Sequence, residues 1–141
     1  MIAATIDELE LIPAWNDADP DMRIRFNFPL HGGEGTASSA VVYFEVEPGE
    51  YLGAHTDSAE EILLVLEGTG IAWVGDEERA VGPGSLAVIP ALAHHGVRAT
   101  GEKALKAVGF FAAAELEHVF DEPLQPIGLR RVTTPPAEVP V

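Results

Sequence analysis

Gly49-Glu50-Tyr51-Leu52-Gly53-Ala54-His55-Thr56-Asp57-Ser58-Ala59-Glu60-Glu61-Ile62-Leu63-Leu64-Val65-Leu66-Glu67-Gly68 reads as two short strands and a polar turn set between glycines. His55 and Asp57 lie two apart, and residues i and i+2 of a strand point to the same face. Both side chains can therefore reach one point in space. Ser58-Ala59-Glu60 forms the polar connection, and Glu61 opens the apolar run Ile62–Leu66. A tight turn there returns Glu61 to the same point, with Glu60 left as its solvated neighbour. One imidazole and two carboxylates suit a first-row divalent metal.

A second stretch, Gly84 to His95, adds to this set. Pro90 ends a strand, and His94-His95 follow within one turn. Adjacent side chains of an extended chain face opposite ways, so only one of the two histidines faces inward. One of them is the candidate ligand, and the other sits at a rim or in solvent. His31 and His118 read as surface histidines.

The flanking sequence keeps a strand rhythm. Residues 22–28 alternate, with Ile24, Phe26 and Phe28 on one face and Arg23, Arg25 and Asn27 on the other. The two arginines read as a solvated face. Residues 40–47 are β-branched and aromatic and end at Pro48-Gly49. Short apolar runs at 62–66, 71–74, 79–81, 86–89 and 104–111 are separated by glycine or proline, and 112–119 reads as one short helix. Tyr43, Phe44, Trp73, Phe110 and Phe111 read as core or sheet packing, with one or two at a barrel mouth. Evenly spaced short strands predict an all-β sandwich or barrel. No βαβ unit is present, which excludes a nucleotide-binding α/β fold. The expected organisation is an N-terminal extension over 1–21, a barrel over 22–122 and a Pro-rich C-terminal extension over 123–141. Residues 133–141 read as a flexible tail, while 123–132 carry Ile127, Leu129 and Val132 to pack on the barrel.

Composition narrows the function classes. The 141 residues fit one domain, and 47% of them are hydrophobic, so one core forms without covalent staples. No cysteine is present, which removes disulfides, thiolate metal sites and cysteine nucleophiles. With 23 acidic against 8 basic residues, the formal charge is −15. That field repels phosphate backbones and anionic lipids, so neither nucleic acid nor membrane is an expected partner. The N-terminus lacks the pattern of a signal peptide, and no apolar stretch approaches the ~20 residues of a membrane span. A cytoplasmic location is the default expectation.

Residues 49–68 resemble the first motif of the cupins: Gly49, His55, Glu61 and Gly68 fall at its spacing. Residues 84–95 resemble the second motif through Gly84, Pro90 and His95. The resemblance implies a double-stranded β-helix (jelly-roll) barrel. It also implies a divalent transition metal (Fe, Mn, Ni, Co or Zn) held by His55, Glu61 and His95, which leaves His94 at the rim. Asp57 stands where the family places a second histidine, Leu92 where it places a glycine and Ala99 where it places an asparagine. Asp57 is then a metal ligand, a base beside the metal, or a group that holds His55. Small cupins include dioxygenases, isomerases and lyases. The expected function is a metal-dependent enzyme acting on a small organic molecule, with Asp57 or Glu61 moving a proton. The alternative is a non-catalytic barrel that holds a small ligand or metal. A homodimer is expected, with Ile6, Leu9, Leu11 and Ile12 available to cover a neighbour.

Overall fold

The computed structural model describes residues 1–136. Twelve strands form two antiparallel six-stranded sheets. In chain order they are β1 (Ile12–Trp15), β2 (Arg23–Leu30), β3 (Ala40–Val46), β4 (Tyr51–Asp57), β5 (Glu61–Glu67), β6 (Thr69–Val74), β7 (Glu77–Val81), β8 (Leu86–Ile89), β9 (His95–Thr100), β10 (Leu105–Phe111), β11 (Leu116–Leu124) and β12 (Leu129–Thr134). One sheet runs β1-β2-β3-β10-β5-β8 and the other β12-β11-β4-β9-β6-β7. Consecutive strands β4 and β5 lie in different sheets, so the chain passes between layers at Ser58–Glu60. This is the jelly-roll barrel expected from the sequence.

Alternation fills the space between the sheets. On β2, Ile24, Phe26 and Phe28 face a chamber inside the barrel, as their spacing predicts. On β5, Glu61, Leu63 and Val65 are buried and Ile62 is exposed. Met22, Val46, Val65, Val97 and Leu105 are the largest fully buried side chains. Each such side chain contributes roughly 1.5–3 kcal/mol of transfer free energy.

The structure corrects several local expectations. Residues 112–119 are not a helix: 112–115 form bends, and β11 begins at Leu116. Alanine-rich composition favours a helix, but Leu116, His118 and Phe120 bury one face of a strand paired with β4 and β12, and that burial prevails. His118 is therefore buried rather than superficial. His31 is also buried, and its Nδ1 accepts a hydrogen bond from Gly33 N at the start of a 3₁₀ turn. Phe110 is 46% exposed on the outer face of β10. Residues 133 and 134 belong to β12, not to a tail; 135 and 136 follow it without regular structure, and 137–141 of the expected tail lie outside the described residues. Within the lead-in, β1 pairs with β2. Asn27 Nδ2 donates to Glu10 O at 2.8 Å, so the N-terminal segment is tied to its own barrel. No helix among the described residues is long and apolar enough to cross a membrane.

Candidate metal centre

Three strands bring the sequence-predicted residues together. β4 supplies His55 and Asp57, β9 supplies His95 and β5 supplies Glu61. His55 and His95 are register partners across β4 and β9, and their rings lie 4.2 Å apart. All four residues are buried. His94, the neighbour of His95, is exposed and pairs with Asp121 at 2.9 Å. Glu60 is exposed while Glu61 is buried. Both outcomes match the sequence reading.

The two imidazoles are fixed by their own backbone. His55 Nδ1 donates to Gly53 O at 2.9 Å, and His95 Nδ1 donates to Ala93 O at 2.8 Å. A carbonyl only accepts, so each Nδ1 carries a proton and each Nε2 is the nitrogen left to face the cluster. Both Nε2 atoms face Asp57 Oδ2, at 3.6 Å from His55 and 3.1 Å from His95. Ligand atoms of His55, Asp57 and His95 all lie within 4.8 Å of one another. Glu61 stands beside this triad, its Oε1 3.6 Å from His95 Nε2.

Asp57 is held from a direction the sequence reading missed. His118 Nδ1 donates to Asp57 Oδ1 at 2.6 Å, and His118 Nε2 lies 2.9 Å from Thr134 Oγ1. One carboxylate oxygen is thereby tied down, and Oδ2 is left pointing at the two Nε2 atoms. Oδ2 is buried and has no hydrogen-bond partner. The available signal was the period-2 pattern of Leu116, His118 and Phe120, which the alanine run before it obscured. Gly109 on β10 is a second missed residue, since a Cβ there would collide with Glu61 Oε2. The room for Glu61 depends on that glycine.

Electrostatics follow from burial and proximity. Burial pushes the His55 imidazolium down to about 4, so the ring is neutral at neutral pH. Burial also acts against a charged His95, but the Asp57 and Glu61 carboxylates beside it prevail and raise it to about 10. Burial alone would raise Asp57, yet the His118 and His95 hydrogen-bonding groups hold it well below the usual carboxylate range. Glu61 is raised, chiefly by burial. The neutral Nε2 of His55, the Nε2 of His95 with a proton that a metal can displace, and the Oδ2 of Asp57 thus converge in one buried place. The donor set fits a divalent transition metal.

Leu92, at the position where the second motif has glycine, takes the left-handed conformation at φ 66°. Its N donates to Asp57 O at 2.8 Å, which joins the β8–β9 loop to β4 beside the cluster. The loop therefore keeps the turn that a glycine would make.

The cluster lies at the wall of a chamber of about 90 Å³. Space on this scale admits several waters or a small organic molecule. Phe120 stacks on His55 at 4.7 Å, and Phe28 lies 5.3 Å from His118 and 6.2 Å from Phe111. Trp73 covers Gly96, where a Cβ would strike the indole.

The Cupin domain family matches residues 42–111, which span both motifs. The chain belongs to the cupins. Solved structures agree in fold. A cupin 2 conserved barrel domain protein from Rhodopseudomonas palustris matches with a TM-score of 0.65 at 21% identity, covering 76% of this chain and 73% of that one. A polyketide cyclase from Streptomyces resistomycificus matches with a TM-score of 0.63 at 18% identity, covering 79% and 78%. An oxalate decarboxylase from Lactobacillus farciminis, solved as a formate complex, matches with a TM-score of 0.67 at 17% identity, covering 79% of this chain and 33% of that one. No curated protein matches the chain in sequence.

Proposed function

We propose that this cupin is a metal-dependent enzyme acting on a small organic molecule. The observation that carries this reading is the convergence of His55 Nε2, His95 Nε2 and Asp57 Oδ2 at the wall of an internal chamber. Two histidines and one carboxylate would supply three ligand atoms and leave further positions of a bound ion for substrate, the donor set of non-haem iron oxygenases. A bound metal would supply Lewis-acid polarisation of a substrate oxygen or, as iron, O₂ chemistry, which gives dioxygenase-like, isomerase or lyase reactions. The chain's own residues have separate tasks. His55 and His95 orient through their backbone-bonded Nδ1 atoms. Asp57 supplies one oxygen while His118 restrains the other. Glu61 is the proton carrier: its raised carboxyl sits beside the cluster with Gly109 leaving it room. Glu61 can also complete the ligand set. The polyketide cyclase and oxalate decarboxylase folds lend the enzyme reading general support, without choosing a reaction.

Elemental analysis of protein purified without chelators, followed by oxygen-uptake and isomerisation screens, tests the proposal. A transition metal near one per chain, with turnover that disappears on chelation, is expected. Metal without turnover on any substrate would favour the non-catalytic barrel, and no metal under any loading condition would end both readings.

We also propose that two copies pair through the outer face of the β8-edged sheet. Ile62 stands opposite Val88 and Phe110, and Leu64 stands opposite Leu86. Leu86, Val88 and Phe110 are 69%, 59% and 46% exposed. In a chain of charge −15, this uncharged edge is where a second copy meets least repulsion. A monomer mass by light scattering at micromolar concentration would reject the dimer.

A further inference from the structure

The chamber beside the cluster has an unusual chemical economy. Its ionisable lining consists of His55, Asp57, Glu61, His95 and His118, all grouped around the candidate metal position. Among the described residues, no lysine or arginine lines it, and no serine, threonine, asparagine or glutamine does either. The remaining walls are apolar but for the indole N–H of Trp73, with Phe26, Phe28, Phe44, Phe111 and Phe120 among them.

Charge counting limits what can enter. Asp57 and Glu61 already bring two carboxyl groups to the candidate metal position. A dicarboxylate or phosphate ester would then bring negative charge into an apolar chamber that offers no counter-ion. The −15 surface would oppose its approach as well. A sugar fares no better, because its several hydroxyls beyond the metal's reach would lose water and find at most the Trp73 indole N–H as a partner. An apolar body stacked among phenylalanines pays neither penalty.

On the reading that this is a metal-dependent enzyme, we infer that its substrate class is small, uncharged and largely apolar or aromatic, with one oxygen-bearing end for the metal. Carboxylate dianions, sugars and sugar phosphates are excluded. The apolar walls select the body of the substrate, and the cluster selects its oxygen end.

The test uses the full chain loaded with Co²⁺, whose visible spectrum reports ligands entering its coordination shell. Pyridine N-oxide and oxalate both bind Co²⁺ through oxygen, but one is a neutral aromatic with no acidic proton to lose and the other a dianion. Their affinity ratio is measured on the loaded protein and on aqueous Co²⁺. The protein is expected to shift the ratio toward pyridine N-oxide by at least about tenfold relative to the aqueous ion. An unchanged ratio, or one shifted toward oxalate, overturns the inference while leaving the metal site intact. A chain that takes up no Co²⁺ overturns the metal reading and this inference with it. Val132, half-buried at the chamber, offers a second arm. Val132→Arg supplies the missing cation on a stem long enough to keep its head near solvent, and it should return the ratio toward oxalate by about tenfold. If Val132→Arg loads Co²⁺ and the ratio does not move, charge is not what selects the ligand.

Discussion

The candidate metal centre is built in two different ways on its two sides. On β4 and β9, each histidine is fixed by a carbonyl two residues before it: Gly53 O for His55 and Ala93 O for His95. On β11 and β12, Asp57 is fixed by residues distant in sequence: His118 restrains its Oδ1, and Thr134 lies against His118. The first arrangement is local and forms with its own strand. The second requires both C-terminal strands to be docked. The difference teaches where the chain departs from its family. Position 57 holds a carboxylate where the motif has a histidine, and the imidazole of His118 stands behind that carboxylate.

The sharpest way to break this comparison is to remove a locally held ligand. His55→Ala or His95→Ala should eliminate most bound metal, lowering affinity by far more than the ~10–100-fold typical of an outer partner. Chelator competition measures this, and full occupancy in both variants would show that the site is elsewhere. Asp57→Ala should also cost more than ~100-fold if Oδ2 is a ligand. Asp57→His should retain metal, because it restores the family's imidazole, yet change the metal's redox behaviour by removing one negative charge. Equal affinity and reactivity in wild type and both variants would leave His55, Glu61 and His95 as the site.

The distant side should break more gently. His118→Phe keeps a ring between Phe28 and Phe111 but frees Asp57 Oδ1. Metal affinity should fall by ~10–100-fold, and the Co²⁺ spectrum should change as the freed carboxylate binds through both oxygens. Stability should fall by about 1–3 kcal/mol, because a buried carboxylate oxygen loses its donor. Urea titration without metal separates the two effects. An unaltered spectrum with reduced stability would make His118 a packing residue alone.

That asymmetry also explains how far the sequence could be read. The i, i+2 spacing of His55 and Asp57, the turn before Glu61 and the opposed faces of His94 and His95 are local facts, and each is found in the structure. The strand rhythm from Arg23 to Phe111 is equally local, because alternation records which face is buried. His118 was illegible as a partner for two physical reasons. The alanines at 112–114 favour a helix in isolation, and only pairing with β4 and β12 turns the following segment into a strand. A contact spanning 61 residues leaves no spacing signature. Gly109 is similar, since nothing in its neighbourhood announces that Glu61 will need its missing side chain.

A proton takes the metal's place in the free protein, and this sets a pH dependence. His95 is raised to about 10, so at neutral pH its Nε2 holds a proton that an entering metal must displace. Metal binding should therefore release about one proton per ion near pH 7, and apparent affinity should rise by about tenfold per pH unit up to the region of 10. Without metal the linkage runs the other way. The folded state holds this proton more tightly than the unfolded chain, so its contribution to stability is complete below about 6.5 and is lost as pH rises through about 10. Calorimetry in buffers of different ionisation enthalpy counts the proton. Binding with no proton release would place a neutral His95 in the free protein.

The smallest effect is expected at Leu92, where the two sides of the site meet through the backbone. Its left-handed φ of 66° is a conformation that costs an ordinary L-residue roughly 1–2 kcal/mol. Its side chain is 70% exposed and so recovers little by burial. Its N–H, bonded to Asp57 O, does the positioning, and glycine would make the same bond. Leu92→Gly should therefore relieve strain, offset in part by the greater freedom of glycine in the unfolded chain, for a net gain of about 0.5–1 kcal/mol. Metal affinity should stay within about twofold, because no ligand atom moves. Thermal unfolding and chelator competition on the same sample test both statements. A loss of affinity with a gain of stability would mean that the exposed leucine, and not only its backbone, steadies the loop over the metal. A loss of stability would mean that its side chain is covered, and the face presented by a second copy of the chain is then the cover to examine.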